Sequence, residues 1–261
     1  MGERARHNCA AAMLASVAVA IVLLLALAPP ASSSASPRLR PPRWSGVVAP
    51  VPPSPRDPGA ALLSTACVGV ATAAGPATCL SVGEYRVPVG TAGLIVEHSG
   101  TSSASAAAPL PASFGRSDDV VIDQVACAGT SLSSCTAVGV AAASPGSDGR
   151  GFALSWAGGA PRPVALPVPP GLAPASLTSF DGLSCPAARA CVAVASVDQS
   201  LESRLFLQHA GSWISLVPPL PPGAPPESEA GVSLGAPACT SPGDCLVAGS
   251  YEDSSATTQP L

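Results

Sequence analysis

The sequence predicts an all-β chain built from four repeats of about 55 residues. Three observations predict it. Eight of the nine cysteines fall in four close pairs, and the second cysteines recur at intervals of 56, 56 and 54 residues. Short runs of Val, Leu, Ile and Ala are bounded by clusters of Gly, Pro and Ser, the punctuation of strands and turns. Thirty-one prolines break most windows in which a helix could otherwise persist, and no helical periodicity is sustained after residue 36.

The N-terminus reads as an export signal over residues 1–35. Arg4, Arg6 and His7 form a basic start, and Ala10 to Ala28 is apolar except for Ser16. Small residues follow, with Ser33-Ser34-Ala35 as the cleavage site. The apolar run approaches the length of a spanning helix, so an uncleaved N-terminal anchor is the alternative, and membrane contact is expected only through it. Cys9 precedes the run, which argues against a lipoprotein site. Either reading puts the remainder outside the cytoplasm, at the cell surface or beyond it. Residues 36–62 form a proline-rich lead-in, and residues 63–261 hold the repeats.

The cysteine pairs are Cys67 with Cys79, Cys127 with Cys135, Cys185 with Cys191, and Cys239 with Cys245. In an exported chain, two cysteines flanking a short turn read as a hairpin staple. The loops are short, so each bridge contributes roughly 2–3 kcal/mol on a chain-entropy account. Zinc fits poorly, because the spacing is not C-x₂-C and histidines are few.

Each second cysteine opens a short apolar strand, as in Cys79-Leu-Ser-Val-Gly83, Cys135-Thr-Ala-Val-Gly139, Cys191-Val-Ala-Val-Ala195 and Cys245-Leu-Val-Ala-Gly249. A polar stretch and a second strand follow: Leu94 to Gly100, Phe152 to Gly158, and Leu205 to Gly211. A proline-rich link and a short apolar segment, such as Val120-Val-Ile122, lead to the next cysteine. Three or four strands per unit of this length suit the blades of a β-propeller-like array. The pattern, with Leu205-Phe-Leu-Gln-His-Ala-Gly-Ser-Trp213 read as one strand, resembles the secreted, disulfide-containing propeller-type repeat proteins of high-GC Gram-positive bacteria. The resemblance covers roughly residues 44–261. It departs from that pattern where His98, Trp156 and His209 alternate at the first aromatic position. The second aromatic position is clear only at Trp213. The fourth unit reaches Leu261 without its second strand. The array is therefore expected to be incomplete or open, unless the segment from Leu39 to Trp44 closes it.

Composition removes several function classes. Net charge is −4, and −5 without residues 1–35, which with the scarcity of aromatics argues against nucleic acid. All twelve basic residues are arginine, so Schiff-base and P-loop lysines are excluded. Asn8 is the only asparagine, so the mature chain holds no N-glycosylation site. Neither a G-x-S-x-G elbow with a histidine partner nor a dinucleotide fingerprint is present.

His98 and His209 invite a metal or acid–base reading. Their equivalence with Trp156 favours a packing position. Glu84, Asp148, Asp198, Glu202, Glu252 and Asp253 are expected in loops after the cysteine strands, where calcium would want clustered oxygens. Solvated hairpin tips explain them more simply. Asp118, Asp119 and Asp123 could be half of a paired-carboxylate site, but read as a solvated linker. Ser147-Asp148-Gly149 resembles the Asp-box turn of sialidase-like propellers, yet its spacing to Trp156 is wrong, and Tyr85 and Tyr251 lack a nucleophile's context.

No catalytic, cofactor or metal residue is therefore assigned, and no cofactor is expected. The expectation is a non-enzymatic extracellular scaffold that binds a protein or an envelope glycan, by analogy of fold. The alternatives are a secreted glycan-acting hydrolase and a truncated fragment of a longer array.

Overall fold

The computed structural model describes residues 50–52, 59–69, 77–114, 119–144, 147–156, 159–197, 202–226 and 230–261, all within the unit Val47–Leu261. The N-terminal signal or anchor, and the closing strand expected from Leu39 to Trp44, lie outside these residues. Among the described residues, no helix is long and apolar enough to cross a membrane.

Three four-stranded antiparallel meanders follow one another. The first comprises β1 (Ala60–Val68), β2 (Thr78–Arg86), β3 (Thr91–Ser99) and β4 (Ser102–Ala107). The second comprises β5 (Asp119–Cys127), β6 (Cys135–Ala142), β7 (Gly149–Trp156) and β8 (Pro161–Ala165). The third comprises β9 (Leu177–Ala187), β10 (Ala190–Val197), β11 (Glu202–His209) and β12 (Ser212–Leu216). A C-terminal group holds β13 (Ser233–Leu234), β14 (Ala238–Ser241), β15 (Asp244–Leu246), β16 (Gly249–Glu252) and β17 (Thr258–Pro260). The lead-in thus gives its last three residues to β1. The expected single strand from Leu205 to Trp213 is two strands: Ala210 and Gly211 take positive φ of 50° and 90° and fold β12 back on β11. Positive φ at both central residues is what a two-residue hairpin requires.

The all-β class expected from the sequence holds. The first three meanders form one twelve-stranded path, but each junction is a single bridge, Thr91 with Asp119 and Gly149 with Leu177. Among the described residues the path runs from β1 to β12 and does not close. β5 packs on β1 and β2 on one side and on β9 on the other, and β9 meets β14.

Each cysteine pair joins two neighbouring strands: β1 to β2, β5 to β6, β9 to β10, and β14 to β15. Cα separations run from 3.9 to 4.1 Å. In three pairs the cysteines stand directly opposite in register. Four residues before the first cysteine, the inner strand bulges at Leu63, Asp123 and Asp181. The bulge presses a backbone carbonyl onto the facing strand. A Cβ on Gly83 or Gly139 would overlap the carbonyl of Ala61 or Val121, which explains the glycine four residues after Cys79 and Cys135. Gly249, expected to end the fourth cysteine strand, instead opens β16 opposite Leu234.

Most of the core lies between meanders, and a smaller cluster of Tyr85, Leu94 and Val96 lies within the first. Val82, Ile95, Ile122, Phe152 and Leu154 meet between the first and second. Val138, Phe180, Ala193 and Phe206 meet between the second and third. Val194, Val232 and Leu234 join the third to the C-terminal group. A sheet covered on both faces needs apolar residues at every position, and all eight residues of β6 are buried.

Candidate functional site

Two places concentrate polar chemistry. The first is where the bulged inner strands meet. A bulge takes a side chain out of strict alternation, so a residue there is re-aimed. Asp123, expected in a solvated linker, instead sits half-buried in β5 and ties two meanders together. Its Oδ2 accepts the Phe180 N–H at 3.1 Å, and the Gln124 Nε2 donates to the Phe180 carbonyl at 3.3 Å. Burial pushes the Asp123 carboxyl up to about 7, with the charges of Asp181 and Glu84 adding to it and the Phe180 N–H opposing it. Asp181 is exposed and accepts the Ser196 hydroxyl at 2.6 Å. Three acids from three meanders thus share one neighbourhood, and one of them can hold a proton near neutral pH.

The other joints use hydroxyls. The Val125 N–H donates to Ser64 Oγ at 3.2 Å between the second and first meanders. The Leu234 N–H donates to Ser203 Oγ at 2.9 Å between the C-terminal group and the third.

The second place is a cleft of about 450 Å³ between β10 and β11 on one wall and the turn of the β14–β15 hairpin on the other. Cys191, Val192, Leu207, Pro242 and Cys245 line it with Gln208, and His209 stands exposed beside them. Gln208 is 7 % exposed; its side chain shares the β11 face of Phe206, and its buried Oε1 has no hydrogen-bond partner among the described residues.

The remaining acids are dispersed. Glu84 lies within β2 and not in a loop, where it also lines a smaller cleft of about 340 Å³ with Arg86 and Thr91. Asp119 accepts the Thr91 hydroxyl. Glu202 pairs with Arg204 at 3.0 Å. Asp253 caps its own turn, accepting the N–H groups of Ser255 and Thr257 and the Gln259 amide, which hold its carboxyl below the usual range. Asp148 precedes β7 and Glu252 ends β16. Asp118 and Asp198 lie outside the described residues. Among the described residues, no three His, Cys, Asp or Glu side chains are grouped to hold a metal.

His98 and His209 belong to different meanders. The His98 Nδ1 meets Ser103 Oγ at 2.7 Å, and Trp156, at the equivalent sequence position, is buried in the core.

Sequence reasoning missed Asp181 and Gln208. A signal for the first existed, because Asp123 and Asp181 both stand four residues before the first cysteine of their pairs. Gln208 carries no such signal, since its burial comes from the β11 face it shares with Phe206, which packs toward the second meander. Comparisons with protein-family models, with curated proteins and with solved structures give no match.

Proposed function

We propose that this chain is an exported, non-enzymatic repeat scaffold of propeller type that binds a protein or an envelope glycan. One observation carries the reading: four disulfide-stapled hairpins whose first strands lie side by side from β1 through β5 and β9 to β14. Stacked units of this kind leave loops and inter-unit clefts as the recognition surface. Four disulfides also match the chemistry of an oxidising compartment. The test is co-sedimentation of the full oxidised chain with purified Gram-positive cell walls, alongside direct titration against the secreted proteins of the same cells. Saturable binding that disappears on reduction supports the scaffold. Absence of saturable binding to either sinks it.

The joint favours a second reading, the glycan-acting hydrolase. Paired carboxyls, one protonated near neutrality and one ionised, are what glycosidic cleavage uses. Asp123 would be the acid and Asp181 the base or nucleophile. Turnover of a β-linked glycan, abolished by Asp123→Asn and by Asp181→Asn alike, would establish it. A wild-type chain without turnover on such glycans leaves the scaffold.

A further inference from the structure

We propose that the Cys67–Cys79 bridge is a redox-active disulfide that oxidises a dithiol by thiol–disulfide exchange, with His98 stabilising the departing thiolate. The site stands apart from whatever the loops of the array recognise. Pairing in register sets one side chain from each strand of the first meander in a single row: Cys67 on β1, Cys79 on β2, His98 on β3 and Ser103 on β4. Residues directly opposite in antiparallel strands share a face, with Cβ atoms about 4.5–5.5 Å apart, so the imidazole flanks the bridge on the Cys79 side. Ser103 Oγ meets the His98 Nδ1 at 2.7 Å, and Nε2 has no hydrogen-bond partner among the described residues. Cys67 is exposed, and Cys79, His98 and Ser103 are half-buried.

The other bridges lack this combination. Cys135 and Cys191 are only 1 % and 2 % exposed, and Cys135 lies in the core with Trp156. Cys239 and Cys245 are both half-buried. Cys245 shares a cleft with His209, but among the described residues β15 pairs with β14 alone, so no strand sets a side chain beside it in register. Exchange depends on access to the attacked sulfur and on how readily the other sulfur leaves as thiolate. A thiolate of the dithiol attacks the exposed Cys67 Sγ. The Cys67–Cys79 bond breaks, a mixed disulfide forms at Cys67, and the electron pair leaves on the Cys79 Sγ. A protonated His98 imidazole stabilises that thiolate and then gives it the proton. The second thiolate of the dithiol attacks its partner's sulfur in the mixed disulfide, and Cys67 departs and is protonated. The sum is one dithiol oxidised to a disulfide and one bridge reduced to two thiols, a transfer of two electrons and two protons.

Glutathione and dithiothreitol test this on the full oxidised chain, with acid quenching, alkylation and peptide mapping. Glutathione should form its mixed disulfide on Cys67 in preference to Cys79. Dithiothreitol should reduce Cys67–Cys79 roughly tenfold faster than Cys127–Cys135 and Cys185–Cys191. In the chain reduced at the first bridge, alkylation of Cys79 should have its pH midpoint about one unit below the ordinary thiol value of about 8.5. His98→Gln should restore the ordinary midpoint and slow reduction of this bridge by roughly fivefold. Reduction no faster than at the second and third bridges, adducts chiefly on Cys79, or a midpoint unmoved by His98→Gln overturns the proposal. If the variant does not fold, the adduct position and the relative rates on the wild-type chain still decide.

Discussion

The second meander and the C-terminal group share a cysteine hairpin and differ in almost everything around it. The Cys127–Cys135 and Cys239–Cys245 bridges hold their strands at Cα separations of 3.9 and 4.0 Å. Every residue of β6 is buried, whereas β14 and β15 are largely exposed and Leu246 is 71 % exposed. The second meander has a neighbour on each face, and the C-terminal group packs on the third meander. The C-terminal strands are also divided, into a two-stranded and a three-stranded piece. The local motif therefore makes a hairpin in either setting. Burial comes from neighbours, which the motif does not encode.

The largest effect should separate these regions by side-chain truncation. Phe152 is fully buried between the first two meanders and meets Phe114 edge-on at 6.4 Å between ring centroids. Phe152→Ala should cost about 3–5 kcal/mol in urea unfolding, through lost transfer energy and the cavity left behind. Leu246→Ala should stay within about 0.5 kcal/mol, as exposed substitutions usually do. Similar losses in both would break the comparison.

The two joints beside the third meander differ in the same spirit. A carboxyl makes the joint to the second meander, and the Ser203 hydroxyl makes the joint to the C-terminal group. Only the first should titrate. Asp123 faces Asp181 and Glu84, and its folded carboxyl is raised to about 7. The folded state therefore keeps this proton while the unfolded chain releases it. Stability from the group is complete below the ordinary carboxylate pKa and is lost as pH rises toward 7, at about 1.4 kcal/mol per unit of pKa difference. Urea midpoints measured from pH 4 to pH 8 should fall by an amount equivalent to a few kcal/mol, on the order of 2–4. Asp123→Asn should flatten that profile, and Ser203→Ala should leave its slope unchanged. A flat wild-type profile would remove the special status of this joint.

Much of the fold is legible in the sequence because its determinants are local. The cysteine strands, the glycines four residues after Cys79 and Cys135 and the strands beginning near Leu94, Phe152 and Leu205 follow from composition and spacing. The hairpin at Ala210-Gly211 is misread because alanine rarely takes positive φ, so nothing in Ala210 signals a turn. Asp123 is misread for another reason. Alternation along Val120–Val125 has no place for a bulged residue, so its burial follows only from register and from Phe180 in the next meander. Gln208 lies beyond sequence reasoning, since its burial comes from the β11 face it shares with Phe206, which packs toward the second meander. What is read correctly lies within one hairpin, and what is missed, apart from the Ala210-Gly211 turn, lies between meanders.

The smallest effect concerns the bridges themselves. Both close short loops, with cysteines eight and six residues apart, so chain entropy assigns each only roughly 2–2.5 kcal/mol. Where that energy is felt should differ. β6 is buried on both faces and opens only with the whole core, so replacing Cys127 and Cys135 together by alanine should lower the global urea midpoint. β14 and β15 are exposed and can open alone, as weakly packed segments do. Replacing Cys239 and Cys245 together should speed amide exchange in β14 and β15 while the exchange of β6 and the global midpoint barely move. Equal shifts in both midpoints would mean that the C-terminal group unfolds with the core, and that its exposed strands are as firmly coupled to the third meander as the second meander is.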